Sequence, residues 1–436
     1  IMSGATYGGD EVNALVFDFG THTTKAGFAG EDAPKAVFPT MLGCVPNDDG
    51  VQAMDTDSSQ ATKSQNNKYV SGSTKLAYPR SGMELKSPLN DGLIEDWDLF
   101  EALVEHTYDH LNTDSKQHPL MRSECPWNTR QLREKEAELM FEKFDVPALF
   151  LCKSAVLTTF ACGRSTGLVV DGGAGSMSVT PVYDGFVLYN NIKRNNVAGD
   201  FLTDFYRNYL EKDKNLDIVP VYKIKSKSAV GEGEPAKFIA KKLQGITNSY
   251  DSFMKKEVVR DFQSIVPRIS DRAYQKESLS SLPTTTYEFP NGYNSAFGLV
   301  RYQGPEHMFS PHKFDTESKE SSSKKPVIPG VHELVRSSLM SCDVDIHNNL
   351  WNSIILSGGA TLCSGFVERL DGELRMAFAP HTKFKIVASN VNSERLFAPW
   401  VGGSILASLG SFQQMWVSRQ EYDEIGPNVV HDKCKM

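Results

Sequence analysis

Two stretches of the chain share one pattern of apolar and polar positions. Each begins with an apolar run that ends in an aspartate, passes through a short turn that contains glycine, and returns to strand-forming residues. They are LVFDFGTHTTKAG (15–27) and LVVDGGAGSMSVT (168–180). Short apolar runs bounded by glycine are typical of buried strands. The sequence therefore predicts the same β-hairpin at two places in the chain.

A third apolar run leads into glycines and then into a helical pattern, in IILSGGATLCSGFVERL (354–370). It predicts a strand, a loop at Ser357, Gly358 and Gly359, and a helix. Because glycine has no Cβ, such a loop lets the backbone approach a base or a sugar closely.

Helical spacing is clear in NTRQLREKEAELMFEKF (128–144). Thr129 is suited to cap the helix, and the charged positions are expected to form a solvated face. The apolar positions at helical spacing are Leu132, Leu139, Met140 and Phe144.

A second helical pattern occupies GGSILASLGSFQQMWVSRQEYDE (402–424). It predicts one amphipathic helix of about five turns, whose first expected role is core packing. Its apolar positions are Ile405, Leu409, Phe412 and Trp416. The alternation of strands with helices along the whole chain favours an α/β architecture, with sheets covered by helices.

Length and composition set the class of protein. A chain of 436 residues exceeds the size at which one hydrophobic core keeps growing, which predicts two lobes. The content of 40% hydrophobic and 23% charged residues is that of a soluble protein, and no apolar run is long enough for a membrane span. The polar start of the chain has no secretory signal pattern, so none is expected.

The formal net charge of −8 argues against a surface built to neutralise nucleic-acid phosphates. The seven cysteines are scattered and form no paired motif, so neither a disulfide framework nor a zinc site is expected, and a reducing compartment fits. Two polar segments, 46–75 and 310–326, are predicted to be surface loops inserted into the fold.

The repeated hairpin suggests a chemical role. A strand that ends in an aspartate and a glycine turn exposes backbone N–H groups to a phosphate, while the carboxylate can hold a hydrated Mg²⁺ ion. Two such turns that face each other would hold a polyphosphate from both sides. With the Gly358–Gly359 loop, the pattern predicts a nucleotide in a cleft between two lobes.

At this level of detail the chain resembles the actins and actin-related proteins over nearly its whole length. The matching segments, in the same order as in actins, are KAGFAGEDAP (25–34), NDGLIEDWD (90–98), HPLMRSECPWNTRQLREKEAELMFEKF (118–144), AVLTTFACGRSTG (155–167), ILSGGATL (355–362) and WVGGSILASLGSFQQMWVSRQEYDEIGP (400–427). Finer features are similar to the nuclear actin-related protein 4 class, also called the actin-like 6 or 53-kilodalton BAF class. They are YGGDEVNALVFDFGTHT (7–23), PWNTR (126–130), YEFPNGYN (287–294) and MSCDVDI (340–346).

The resemblance implies a two-lobed actin-like ATPase fold with mixed five-stranded sheets flanked by helices. The smaller lobe is expected over 1–154 with 398–436, and the larger lobe over 155–397. It also implies a site for ATP and Mg²⁺, in which Asp18 and Asp171 hold the metal through water. The residues it assigns to nucleotide binding are Asp18, Gly20, Thr21, His22, Lys25, Asp171, Gly172, Gly173, Ala174, Gly175, Gly358, Gly359 and Ala360.

The sequence departs from the actin pattern where actins position the attacking water. Ala174, Ser178 and Ser154 stand where actins have an aspartate, a histidine and a glutamine, and His22 replaces a glycine of the first turn. Phosphoryl transfer is catalysed largely by positioning and electrostatics, so we expect no catalytic residues and little or no hydrolysis.

A further departure concerns the base and ribose. If VVRDFQSIV (258–266) aligns with the actin segment that touches the adenosine, Gln263 and Ser264 replace a lysine and a glutamate there. Without any ligand, the aspartates and glycines of the turns could also serve only the fold, since Asx residues and glycine suit such turns.

The function implied by the resemblance is that of a non-catalytic subunit of chromatin-remodelling complexes of the SWI/SNF (BAF) kind and of histone-acetyltransferase complexes in the nucleus. The expected partners are a helix of a remodeller ATPase, actin, and other complex subunits, with direct nucleic-acid binding weak or absent. Leu409 and Trp416 are expected to anchor the partner helix in a groove. The alternatives are a filament-forming actin-like ATPase, disfavoured by the 46–75 insertion, and a phosphotransferase of the wider superfamily.

Overall fold

The computed structural model describes residues 13–46, 68–311 and 328–436. Its strands, in chain order, are β1 (Leu15–Phe19), β2 (Thr23–Phe28), β3 (Ala36–Pro39), β4 (Leu42–Val45), β5 (Lys68–Val70), β6 (Glu84–Lys86), β7 (Leu89–Asn90), β8 (Leu93–Ile94), β9 (Leu120–Glu124), β10 (Ala148–Lys153), β11 (Gly167–Gly172), β12 (Met177–Tyr183), β13 (Phe186–Val187), β14 (Lys193–Asn195), β15 (Ile224–Ser228), β16 (Lys237–Ala240), β17 (Thr285–Glu288), β18 (Asn294–Phe297), β19 (Ile354–Ser357), β20 (Ile386–Val387) and β21 (Val417–Ser418).

The α-helices, in chain order, are α1 (Ser73–Leu76), α2 (Trp97–Leu111), α3 (Arg130–Glu138), α4 (Ser154–Ala161), α5 (Gly199–Asn208), α6 (Asn248–Ile265), α7 (Lys276–Leu279), α8 (Val300–Glu306), α9 (Val331–Met340), α10 (Val344–Trp351), α11 (Phe366–Ala377), α12 (Asn392–Leu396), α13 (Ala398–Ser408), α14 (Arg419–Ile425) and α15 (Val429–Lys433).

Two mixed sheets organise the chain, each with its own buried core. The first has the order β21-β10-β9-β1-β2-β3, and the second has the order β13-β12-β11-β19-β20 with β14 paired to β12. In both sheets an antiparallel hairpin, β1–β2 or β11–β12, lies beside a parallel strand, β9 or β19. We call the parts around the first and second sheets the small lobe and the large lobe.

This arrangement confirms the predicted two-lobed α/β fold with mixed sheets flanked by helices. Each sheet has six strands rather than the expected five, because the short strands β21 and β14 pair along its edges. The exact lobe bounds, 1–154 with 398–436 and 155–397, stay a prediction.

Helices α4 and α13 pack closely between the two sheets. Gly402 of α13 makes this possible, because a Cβ there would lie 1.7 Å from the backbone oxygen of Leu157 in α4. The fully buried Trp400 donates its indole N–H to the backbone oxygen of Val16 in β1, at 2.9 Å. Since α4 runs from β10 of the first sheet to β11 of the second, this pair of helices joins the lobes.

The helix predicted over 128–144 is confirmed in its start and changed at its end. The Thr129 hydroxyl accepts the Leu132 N–H as a cap, and α3 then passes into a π-helical turn over Leu139–Lys143. The prediction that the charged positions form a solvated face was wrong for two of them. Arg133 and Glu136 are buried, and they form ion pairs with Glu124 and Arg122, respectively.

The prediction of a single C-terminal helix was also wrong. Helix α13 ends at Ser408, Leu409 is extended with ψ 129°, and a 3₁₀ turn (Gly410–Gln414), strand β21 and helix α14 follow. The pairing of β21 with Ala148–Leu149 of β10 requires extended backbone, so tertiary structure overrides the helical spacing.

The polar segments are described only in part. Residues 47–67 and 312–327 of the predicted loops lie outside the described residues. The end of the first segment is not a loop, because it contains strand β5, which pairs with β4, and the start of α1.

All seven cysteines are free, as expected, and Cys162 at the end of α4 is exposed. In the described residues, no group of three or more histidine, cysteine, aspartate or glutamate side chains is arranged to hold a metal ion. Within the same ranges no helix has the length and apolar character that crossing a membrane requires.

Candidate functional site

The first predicted hairpin, β1–β2, closes in a tight turn with a glycine at its start. The Gly20 N–H donates to the backbone oxygen of Thr23 at 3.1 Å, and a Cβ on Gly20 would lie 2.9 Å from that same oxygen. Asp18 pairs across the hairpin with Lys25, whose ammonium lies 3.0 Å from the carboxylate. The Thr40 hydroxyl donates to the Gly20 carbonyl at 2.6 Å, which stabilises the turn. The turn therefore has a fixed shape before any ligand binds.

The second hairpin, β11–β12, repeats this geometry. The Gly173 N–H donates to the Ser176 backbone oxygen at 3.0 Å, and Asp171 lies at the end of β11 opposite Ser178 of β12. Gly172 is enclosed on three sides, because a Cβ there would lie 3.0 to 3.2 Å from neighbouring side chains. The repeated sequence pattern thus produces a repeated structure.

The glycine loop after β19 packs directly against the second hairpin. Gly358 has φ +85°, and a Cβ there would lie 2.3 Å from the Gly172 oxygen and 2.5 Å from Oδ1 of Asp171. Only glycine fits this position. Gly359 and Ala360 follow in a 3₁₀ turn, Gly359–Leu362.

The three segments meet at the carboxyl ends of β1, β11 and β19, where ligands bind in open α/β sheets. The hairpins come within contact of each other, because a Cβ on Gly175 would lie 3.4 Å from the Thr21 side chain. Desolvation, and then the charge of Asp18, raise the pKa of Asp171 from 3.8 to about 6, and Lys25 offsets this only in part. Two carboxylates, one from each lobe, therefore lie close enough to repel, which is the environment that a divalent cation relieves.

The amino end of α5 holds the second hairpin in place. Its first N–H groups, those of Gly199 and Asp200, donate to the carbonyls of Gly173 and Ala174 at 3.1 and 2.8 Å. These donors are consequently occupied by protein carbonyls. In the two turns the N–H groups of Gly20 and Gly173 close the hairpins, so the candidates for a phosphate are the N–H groups at 21–22 and 174–175.

His22, in the first turn, is affected by the charges of residues of the large lobe. Desolvation, followed by the charge of Arg260, lowers the pKa of His22, while Glu257 and Asp200 raise it. Arg260 donates to Asp200 at 2.9 Å and also pairs with Glu257. Sequence reasoning did not single out these three residues: the resemblance relates 258–266 of α6 to the adenosine, but no local pattern marks Arg260, Glu257 or Asp200 of α5 as charged groups beside the first turn.

The structure places the substituted positions in the second hairpin and at the start of α4. Ser178 stands opposite the aspartate of the second hairpin, Ala174 lies at its tip, and Ser154 begins α4. The side-chain N–H of Gln263 donates to the backbone oxygen of Gly199 in α5. Its side-chain oxygen accepts a hydrogen bond from the hydroxyl of Thr203 in the same helix. The Ser264 hydroxyl donates to a backbone oxygen of its own helix.

The two predicted anchors in the C-terminal region differ in their exposure to solvent. Leu409 is 44% exposed, and so is the neighbouring Ile405, at 41%. Trp416 is 6% exposed and packs edge to face on Phe150 and Phe412, with ring centroids 6.5 and 5.2 Å away. Leu409 thus lies at the surface, while Trp416 belongs to the core beneath it.

Comparison with known proteins gives consistent matches along the chain. A family model described as actin matches residues 9–435. Actin-related protein 4 of Arabidopsis thaliana is 43% identical over 447 aligned residues, which cover 98% of this chain and 100% of that protein. Proteins of the same name from Oryza sativa subsp. indica and Yarrowia lipolytica are 39% and 36% identical, each over 98% of this chain and over 100% and 97% of their own length.

Proposed function

The chain belongs to the actin family, and we propose that it is a non-catalytic actin-related subunit of nuclear complexes that binds ATP with little or no hydrolysis. Two observations support the proposal: the two glycine turns come into contact in an arrangement suited to a nucleotide, and the groups that position the attacking water in actins are replaced in this sequence. Gly20 and Gly358 let the segments of the site pack closely on each other, and the charge of Asp18 acts on Asp171, but Ala174 has no polar side chain.

The residues present fit Mg²⁺ and ATP in a limited way. Two repelling carboxylates suit a cation held through water, and the N–H groups of two glycine turns suit phosphates. When bound, Mg²⁺ neutralises phosphate charge. The chain supplies no imidazole or amide at Ser178 and Ser154 to orient a water, so binding is supported and turnover is not.

The first test measures binding and turnover separately. Asp171→Ala is expected to weaken Mg-ATP binding about tenfold or more, because it removes half of the carboxylate pair. The control is Asp217→Ala, at a position whose side chain is 83% exposed and lies near the ammonium of Lys255. Phosphate release clearly above a heat-inactivated sample, and abolished by Asp171→Ala, would contradict the proposal.

The proposed biological role is docking. The resemblance to the nuclear actin-related protein 4 class supports a place in chromatin-remodelling complexes, including the BAF kind, and in histone-acetyltransferase complexes, with a remodeller ATPase helix and actin as partners. The exposed pair Ile405 and Leu409 at the end of α13 offers an apolar anchor for an amphipathic helix.

The docking test replaces one exposed anchor by a charge. Leu409→Glu is expected to release the protein from complexes isolated from nuclear extract without lowering its melting temperature, because Leu409 is already 44% exposed. Ile239→Glu is the matched control, since Ile239 is a 60% exposed apolar residue on β16 of the large lobe. Full co-purification of a folded Leu409→Glu variant would refute this docking site.

A further inference from the structure

A two-stranded hairpin of the large lobe carries an excess of lysine. Strands β15 and β16 with their flanks (221–243) contain six lysines, two glutamates and no aspartate or arginine, whereas the whole chain has a net charge of −8. The lysines are Lys223, Lys225, Lys227, Lys237, Lys241 and Lys242. The hairpin is therefore a local basic surface on an acidic protein.

Most of this charge has no partner within the chain. Lys223 pairs with Asp251, and Lys227 pairs with Glu288, each at 2.6 Å. In the described residues no acidic side chain forms an ion pair with the other four lysines, and all four are exposed. They are Lys225, Lys237, Lys241 and Lys242. Exposed ammonium groups without partners on one surface attract an anionic partner.

The hairpin has one covered side and one open edge. Strands β15 and β16 pair only with each other within the part of the chain that the structure describes. The β17–β18 hairpin lies against β15, because Lys227 pairs with Glu288 and a Cβ on Gly292 would lie 3.2 Å from the Ser228 oxygen. Strand β16 has no strand on its outer side. The outward backbone N–H and C=O groups of β16 can therefore pair with an added strand.

One face of β16 combines charge with apolar surface. Side chains alternate along a strand, so Lys237 and Ile239 share a face. The alternation continues to Lys241, whose backbone N–H donates to the Lys223 oxygen at 2.7 Å. Ile239 is 60% exposed. A neighbouring strand matches this face when it carries an acidic, an apolar and an acidic side chain at every second position.

The chemistry of the hairpin favours an acidic peptide over other occupants. A second copy of the hairpin would bring lysine against lysine, which is how edge lysines prevent self-association. Nucleic acids are bound through many phosphate contacts, and single strands also stack on aromatic side chains. Residues 221–243 contain no arginine, and neither of their aromatic side chains, Tyr222 and Phe238, is exposed. A peptide strand instead gains main-chain hydrogen bonds and ion pairs together.

We infer that β16 accepts an acidic, extended peptide as a third strand of the hairpin. Acidic side chains of the peptide lie against Lys237 and Lys241, and an apolar side chain lies against Ile239. This surface is separate from the apolar anchor on α13 and depends neither on ATP nor on a remodeller helix. The chain thus has a second interaction surface, which serves partners with an acidic segment.

The probe is a fluorescein-labelled synthetic peptide of about seven residues, long enough to pair along β16. Threonine stands at every second position, and glutamate, valine and glutamate stand between the threonines. Fluorescence anisotropy should give a Kd of about 10–100 µM at low salt and weaker binding at high salt, since part of the attraction is electrostatic.

Two altered peptides test the two kinds of interaction. Glutamine in place of both glutamates removes the ion pairs, and N-methylation of every backbone amide removes the main-chain hydrogen bonds. Each altered peptide should bind about tenfold more weakly or worse. Equal binding by either of them would overturn the proposal.

Paired variants locate the site on the chain. Lys237→Glu combined with Lys241→Glu should weaken binding of the probe about tenfold or more, because repulsion replaces attraction. The control is Lys383→Glu combined with Lys385→Glu, which makes the same change of net charge at two exposed lysines just before β20. No loss in the first variant, or an equal loss in both, would overturn the proposal.

Hydrogen exchange separates strand addition from attraction of charge alone. Amide exchange within 237–241 should slow when the probe is bound, because N–H groups of β16 gain hydrogen bonds. Unchanged exchange there would overturn the proposal. Duplex DNA is the competing anion, and DNA binding that is tighter than probe binding and is lost in the Lys237→Glu, Lys241→Glu variant would assign the surface to nucleic acid instead.

The variants used for α13 show whether the two surfaces are separate. Ile239→Glu, the control in the docking test, should lose the probe and still co-purify with nuclear complexes. Leu409→Glu should keep the affinity of the unmodified protein for the probe, whether or not it is released from those complexes. Loss of probe binding by a folded Leu409→Glu variant would contradict the site on β16.

Discussion

At the scale of single residues, Asp171 has a part in both the fold and the proposed ligand site. It ends a buried strand, faces the carboxylate of Asp18 and touches the Gly358 loop, and this environment raises its pKa to about 6. In the ligand-free protein its ionisation therefore costs more free energy than it does in the unfolded chain.

This predicts a pH-dependent effect of Asp171→Asn. A carboxyl with a raised folded pKa stabilises the fold below its unfolded value of 3.8, and that contribution is lost as the pH rises through about 6. The variant without ligand should thus be more stable than the unmodified protein by about 1–2 kcal/mol near neutral pH, and nearly equal to it at about pH 4. Thermal melts at both pH values check this, and an equal difference at both would contradict it.

A buried ion cluster in the small lobe gives a second prediction. Lys153 and Arg133 lie 2.8 and 3.0 Å from one oxygen of Glu124, and although burial opposes ionisation, these cations hold the pKa of Glu124 below its usual range. Glu124→Gln leaves both cations buried without this partner, which should cost about 3–5 kcal/mol of unfolding free energy. Denaturant unfolding measures this.

The control for that experiment is Glu31→Gln, which breaks a largely exposed pair with Lys35 and should cost about 0.5 kcal/mol or less. A similar small loss for Glu124→Gln would show that the cluster contributes little to stability.

The sequence predicts the residues that define turns better than those that enclose them. Asp18, Gly20, Asp171 and Gly358 were found because each follows an apolar run within a short local pattern. Arg260 was not, because it reaches the cleft only through the packing of α6 against α5. Long-range contacts of this kind leave no local signal.

At the scale of elements, the close approach of α4 and α13 depends on one position. Gly402→Ala would place a methyl group 1.7 Å from the Leu157 oxygen, so the helices must separate, and we expect a loss of about 2–3 kcal/mol in unfolding free energy. Gly410→Ala is the control, since a Cβ there meets nothing within 4 Å, and it should be neutral or stabilise by about 0.4–1 kcal/mol. Equal losses for both variants would show that helix contact is not the cause.

Element ends show the same limit of sequence reasoning. The start of α3 was predictable, because Thr129 caps it through a purely local bond. The end of α13 was not predictable. Residues that follow it with helical spacing form strand β21, because they pair with β10, which is far away in the sequence.

At the scale of the whole molecule, the length and the repeated hairpin were enough to predict two lobes and a cleft. They gave no sign that the lobes also meet through Tyr250 and its neighbours, since these residues lie in segments with no shared pattern.

The proposed role as a subunit predicts that the chain does not polymerise alone. Filament growth needs one face to fit the opposite face of the next copy, and the segment in which actins carry part of that fit is replaced by the polar stretch within 46–75. In sedimentation with salt and Mg²⁺ the protein should stay monomeric. Regular filaments in electron micrographs would support the alternative of a polymerising ATPase instead.

The position of Cys162 has a practical consequence. It is an exposed thiol at the end of α4, the helix that leads from the first sheet to the second, while Cys44, Cys152, Cys342 and Cys434 are buried. Maleimide dyes react with accessible thiols; desolvation raises the pKa of Cys162 too, but it raises that of the partly buried Cys125 and Cys363 to about 12. The chain can therefore be labelled at Cys162, on the connection between the two sheets, and we expect the anisotropy of the dye to change if one lobe moves against the other.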